Sequence, residues 1–187
     1  MRRSLLPTTL AFLLLAACGG GSSTQATCTS TYWDGTIGTC MPEGWSALSQ
    51  EEVQARGMPP EVVIAFQSVS AISGQYPTVA VTRERLPRAL SSAEYSKASI
   101  DLVTRRKDYA KIDATEITVD GDSVTLHVFS AQPLAAQPKQ RFYQVAAAKE
   151  DTGYVFTASL PLTTPDKVTS EVKLILSSMT FQPPAAE

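Results

Sequence analysis

Hydrophobic residues recur along this chain with two different spacings. Val62 to Val69 and Thr78 to Arg85 are rich in β-branched residues and flank Ser73-Gly74-Gln75-Tyr76-Pro77, so they read as two strands joined by a turn. Ile112 to Val119 and Ser123 to Phe129 flank Asp120-Gly121, a dipeptide that favours a two-residue hairpin. In the second of these strands Val124, Leu126 and Val128 share one face, and Thr125, His127 and Phe129 share the other. Lys139 to Lys149 and Tyr154 to Leu160 make a further pair across Glu150-Asp151-Thr152-Gly153.

Helical spacing follows capping signals. Ser49-Gln50-Glu51-Glu52 is a capping box for a short helix that stops at Gly57, ahead of Pro59 and Pro60. Ser91-Ser92-Ala93-Glu94 opens a longer helix to about Lys107, with Tyr95, Ala98, Leu102 and Val103 on one face. Thr164 is the expected cap of a last helix, with Pro165 at its first position and Val168, Val172, Ile175, Leu176 and Met179 turned to the core. The predicted fold class is α+β, a mostly antiparallel sheet flanked by helices.

The beginning of the chain has a different character. Arg2 and Arg3 precede an apolar run from Leu5 to Ala17, the arrangement of an export signal. That run falls short of the roughly 20 apolar residues of a membrane-spanning helix. Leu15-Ala16-Ala17-Cys18 resembles the bacterial lipobox, which implies cleavage before Cys18 and lipidation of its sulfur. Two or three acyl chains, at about 0.8 kcal/mol per buried methylene, hold a protein stably on a membrane. Residues 19 to 27, GGGSSTQAT, have almost no apolar surface to bury and read as a tether. The expected organisation is a leader over 1–17, a lipidated tether over 18–27, one domain over 28–182 and a frayed tail over 183–187.

Three cysteines are an odd number for an exported chain. Assigning Cys18 to lipid leaves Cys28 and Cys40, which bracket a segment containing Asp34-Gly35, a hairpin signal that brings the two thiols together. A disulfide there closes a loop of about 13 residues, worth roughly 3 kcal/mol in the chain-entropy model. A metal or redox pair would want C-x-x-C spacing or partner histidines, and the sequence has neither.

Charge narrows the function classes. The chain has 16 basic and 18 acidic residues, a net charge of −2 that becomes −4 when Arg2 and Arg3 are removed. This balance argues against nucleic acid and against a polybasic membrane patch. Arg105-Arg106-Lys107 at the end of the second helix is either a basic docking patch or a set of cations favoured by the helix dipole. His127, the single histidine, sits mid-strand without a sequence signal for a nucleophile or an orienting carboxylate. No G-x-S-x-G, H-E-x-x-H or P-loop motif is present, so the expectation is a non-enzyme with no cofactor, no metal site and no catalytic residue. The uncharged segment Ser130 to Pro138 (SAQPLAAQP) reads as an exposed loop in which Leu134 is a candidate partner-binding residue.

Met41-Pro42-Glu43-Gly44-Trp45 after a short hairpin, a mid-chain helix, then RFYQV, GYVFTASLP and a terminal LILSSMTF together resemble the PsbP-like family, which includes the bacterial lipoprotein DcrB. The resemblance runs over roughly Tyr32 to Phe181 and reports mainly core and turn positions; the Cys28–Cys40 pair is not part of its pattern. It implies an α/β/α sandwich and a largely non-enzymatic role in docking onto a membrane protein complex. With the lipobox, it gives the expectation of a cell-envelope lipoprotein on the extracytoplasmic side, in the outer membrane of a two-membrane cell. The alternative is an extracytoplasmic carrier or sensor of a small apolar ligand.

Overall fold

The computed structural model describes residues 25–133 and 137–184; the expected leader over 1–17, Cys18 and Leu134 lie outside the described residues. Twelve elements follow in the order β1 (Ser30–Trp33), β2 (Gly38–Met41), β3 (Trp45–Ala47), α1 (Gln50–Ala55), β4 (Val62–Ser68), β5 (Thr78–Arg85), α2 (Ser92–Val103), β6 (Ala110–Val119), β7 (Asp122–Ala131), β8 (Gln140–Lys149), β9 (Thr152–Pro161) and α3 (Asp166–Ser177). Seven strands form one antiparallel sheet in the order β3-β4-β5-β9-β8-β7-β6. The α+β class and the helix-flanked antiparallel sheet are as the sequence predicts.

The turns follow their local chemistry. Asp120 and Gly121 have φ of 50° and 95° and join Val119 directly to Asp122, a two-residue turn with both central residues left-handed. The first hairpin is looser, because its last pair is Trp33 with Gly38 and Asp34 Oδ1 accepts from the N–H groups of Thr36 and Ile37, each at 2.8 Å. Its ends are closed by the Cys28–Cys40 disulfide.

Alternation along the strands sorts the sheet into two faces. Phe66, Val79, Val81, Val145, Phe156 and Leu160 point to the side covered by α3 and the β1–β2 hairpin, where Val172, Ile175 and Leu176 complete a fully buried core. Polar bonds tie this layer down. Gly38 and Thr180 exchange two backbone bonds at 2.8 and 3.0 Å, and Asp120 accepts from Thr180 Oγ1 and Phe181 N–H, both at 2.6 Å. The Met41–Trp45 segment turns at Gly44, φ +76°, and drops Trp45 into the core, where its Nε1–H donates to the buried carboxylate of Glu171 at 2.9 Å.

Four sequence expectations change. Ser130 and Ala131, read as the start of an exposed loop, are instead the buried end of β7, paired with Arg141 and Gln140 of β8. Thr164 is not the cap of α3: its hydroxyl donates to the Pro161 carbonyl at 2.7 Å, and Pro165, extended at ψ 152°, occupies the cap position without a side-chain bond. Helix α2 ends at Val103 instead of near Lys107; Thr104 Oγ1 donates back to the Asp101 carbonyl at 2.9 Å, the kind of local bond that competes with helix continuation. Ala98 and Leu102 are exposed, although Tyr95 is buried and Val103 partly so. The cause is placement, since α2 packs on β7 and β8 and leaves the β5 side open.

Candidate functional site

The open half of the α2 face is a groove, and its walls are positioned by local rules. The Ser91–Glu94 capping box forms, with Ser91 N–H donating to Glu94 Oε2 at 2.9 Å and Glu94 N–H donating to Ser91 Oγ at 3.2 Å. It fixes where α2 begins. Ser92 Oγ then donates to the Ala148 carbonyl at 3.1 Å, and Ser96 Oγ accepts from Thr125 N–H at 3.1 Å. These small side chains let the helix lie close on β7 and β8.

Tyr95 reaches the other way, toward β5, and its hydroxyl donates to Glu84 Oε1 at 2.7 Å. Burial, then the Glu84 bond, drives the phenol pKa far above its ordinary value, so it stays a donor. Its ring lies over Gly153, where an added Cβ would stand 2.3 Å from Tyr95 Cζ. Glycine is required there by close approach.

Between this tyrosine, α2 and the strands runs an open groove of about 590 Å³. Ala98, Leu102 and Val103 form its helical wall, Thr82, Gln144, Val155 and Thr157 its floor, and Glu61, Arg83, Glu84 and Arg105 add charge. Leu102 is 68% exposed on that wall. A concavity of this size with apolar walls and a few polar groups is the usual form of a binding site.

A polar row lies in register across the floor: Ala80 faces Thr157, Thr157 faces Gln144, and Gln144 faces His127. His127 is buried, accepts or donates through Nε2 to the Tyr109 hydroxyl at 2.9 Å, and stacks on Phe129 with ring centroids 5.0 Å apart. Its Nδ1 and the Gln144 Oε1 are buried without a hydrogen-bond partner. Burial, and secondarily the positive charge of Lys111, hold the imidazole pKa below 6.5. His127 is thus more deeply enclosed than its mid-strand position foretold, against the Tyr109 phenol and Phe129, which in turn stacks on Phe142.

Of the residues singled out in the sequence, Cys28 and Cys40 are joined, and Cys18 and Leu134 fall outside the described residues. Among the described residues no three His, Cys, Asp or Glu side chains form a metal-ligand group. The groove itself was missed. Its signal is present in the sequence as Gln144 and Thr157, polar positions in the middle of two strands whose central residues are mostly apolar.

No protein-family model and no curated protein matches the sequence. Solved structures do. PsbP of the cyanobacterium Synechocystis sp. PCC 6803 superposes with a TM-score of 0.53 at 18% identity, over 90% of this chain and 99% of that one. LpqN, involved in cell envelope biogenesis of Mycobacterium tuberculosis, superposes with a TM-score of 0.54 at 11% identity, over 79% of this chain and 83% of that one. The fold is PsbP-like. At these identities the likeness speaks for the architecture and leaves function to the site.

Proposed function

We propose that this protein is an extracytoplasmic, cell-envelope lipoprotein, anchored through Cys18, whose PsbP-like domain is a non-enzymatic binding module. The observation that carries the reading is the groove along α2, with Leu102 exposed on its wall. An open groove with an exposed leucine on its wall suits a segment of a membrane protein partner lying between α2 and β5. Support for the compartment comes from the lipobox-like Leu15-Ala16-Ala17-Cys18 and from LpqN, a structural neighbour named for cell envelope biogenesis.

A photo-reactive residue at position 102, incorporated in cells that express the full chain, tests the reading. The expected product is a covalent adduct with one membrane protein, identified by mass spectrometry and lost when the reactive group is moved to the exposed Lys97 on the same helix. Absence of any adduct at 102 with strong crosslinking at 97 would move the docking surface elsewhere. The second reading, a carrier of a small apolar ligand, is favoured by the groove volume and predicts instead a non-covalent low-mass ligand in native mass spectrometry of the purified protein. Detergent partitioning and the mass of the mature N-terminus test the anchor separately.

A further inference from the structure

Charge and apolar surface are segregated between the two ends of the seven-stranded sheet. One end is defined by register: Gln67 pairs with Thr78, Thr78 with Ser159, Pro161 with Gln140, Gln140 with Ala131, and Ser130 with Ala110. Just beyond those residues lie Val69, Tyr76 and Leu162, which are 68%, 52% and 45% exposed. Helix α2 runs toward the same end, because its last residue, Val103, packs with Phe129, Ala131 and Phe142.

The basic residues converge there too. Arg105, Arg106 and Lys107 follow α2 at this end, Lys111 and Lys139 begin or precede β6 and β8, and Lys167 begins α3; all six are exposed. The helix dipole does not account for the first three, since α2 has no basic residue in its last turn and the dipole's influence fades beyond it. Asp101, Asp108, Asp166 and Glu43 are interspersed at the same end, and Lys167 lies 3.9 Å from the Glu171 carboxylate. The opposite end carries Glu84, Asp120, Asp122, Glu150 and Asp151 against Arg83, Arg85 and Lys149, with Arg85 paired to Asp151 at 3.2 Å. A net charge near zero therefore conceals a basic, apolar end and an acidic one.

The chain enters at the basic end. Gln25, Ala26 and Thr27 line a cleft with Pro42, Glu43 and Lys167, beside the Gly44 carbonyl that accepts from Val69 N–H at 2.8 Å. Gln25 lies seven positions after Cys18, a reach of at most about 25 Å when fully extended. A ten-residue strand such as β8 is about 33 Å long, so the tether cannot pass back along the domain to put the acidic end on the membrane.

We propose that this end of the sheet is a seating surface for a lipid bilayer containing anionic lipid. The proposal rests on the anchor reading at Cys18. Tyr76 and Leu162 enter the headgroup layer, where an aromatic ring with a polar tip is favoured, and each cation near the surface adds attraction that decays within a Debye length. Seating also sets the domain's orientation, so that α2 and its groove rise from the membrane and open to the side.

The test couples the mature chain through its free Cys18 thiol to a maleimide lipid, which makes the surface measurable whether or not cells lipidate that residue. Hydrogen exchange is compared on phosphatidylcholine vesicles and on vesicles with about one-third phosphatidylglycerol, whose negative surface potential supplies the attraction. Segments 69–77, 104–110 and 162–164 are expected to slow on the anionic vesicles, while 120–122 and 150–152 stay unchanged. Arg105→Glu with Arg106→Glu and Lys107→Glu should abolish the slowing, and Tyr76→Ser should reduce it, with thermal unfolding confirming that both variants fold. Equal slowing at both ends, or none at the basic end, overturns the proposal. Native protein with an unmodified Cys18 would end the anchor reading, yet slowing in the coupled chain would still uphold the surface; a lipidated Cys18 without slowing does the reverse.

Discussion

The two faces of the one sheet are built to different standards of closure. On the α3 side the middle positions of the central strands are apolar and sealed, from Phe66 and Val81 to Phe156 and Leu160, with polar side chains such as Ser68 and Arg141 only at the strand ends. On the α2 side the same strands present Ala80, Thr82, Thr157 and Gln144, and the helix covers about half of them. Alternating residues of a strand serve opposite faces, so a single run such as Tyr154-Val155-Phe156-Thr157 contributes to both. Stability is concentrated on one face, which leaves the other free to carry polar groups and an open groove.

The largest effect that would break this comparison belongs to Phe156, which is fully buried on the α3 side. Phe156→Ala should cost about 3–5 kcal/mol, from lost transfer energy and an unfilled cavity, measured by urea unfolding. A cost near that of a surface substitution would mean that the sealed face is not the main source of stability. Gly153→Ala comes next, because its methyl would collide with the Tyr95 ring. Overpacking of this kind typically costs about 1–3 kcal/mol. It should also displace Tyr95 and free the Glu84 carboxylate, seen as altered tyrosine near-ultraviolet circular dichroism; retention of wild-type stability would show that the ring does not rest on Gly153.

How much of this was legible in the sequence differs between the two faces as well. Strand positions, both capping boxes and the Asp120-Gly121 turn were readable because each is decided within a few residues. Val172, Ile175 and Leu176 were readable as core from periodicity alone. The placement of α2 was not, because it depends on Ser92 and Ser96 meeting Ala148 and Thr125 from distant strands. Leu102 therefore looked like a core residue and is exposed. The end of α3's cap failed for a related reason: the Thr164 hydroxyl had a nearer acceptor in Pro161. Charge counted along the chain averaged away the basic end, which exists only once α2, β6, β8 and α3 are brought side by side.

A smaller effect sharpens the description of the polar row. His127 is held below pKa 6.5 by burial and by Lys111, so the native state favours the neutral ring. Between that lowered value and 6.5 the unfolded chain binds more protons than the folded one, and stability rises with pH across the window. It should accordingly fall as the solution is acidified below about 6.5, before the exposed carboxylates titrate. In His127→Gln the slope in this window should flatten. An unchanged slope would assign the pH dependence to groups outside the row.

The smallest expected effect concerns Leu102, and it separates binding from stability most cleanly. The side chain is 68% exposed on the groove wall, and its neighbours in the helix that do face inward, Tyr95 and Ser96, supply the packing. Leu102→Asp should change unfolding free energy by no more than about 0.5 kcal/mol, as for other surface substitutions. In the groove, by contrast, it replaces an apolar contact with a charge whose desolvation opposes an apolar partner. Stability unchanged with the crosslinked adduct at the neighbouring Ala98 position abolished is the expected pair of results. A loss of several kcal/mol would make Leu102 a structural residue and close the open face, and an undiminished adduct would mean that whatever docks on this domain does not use α2.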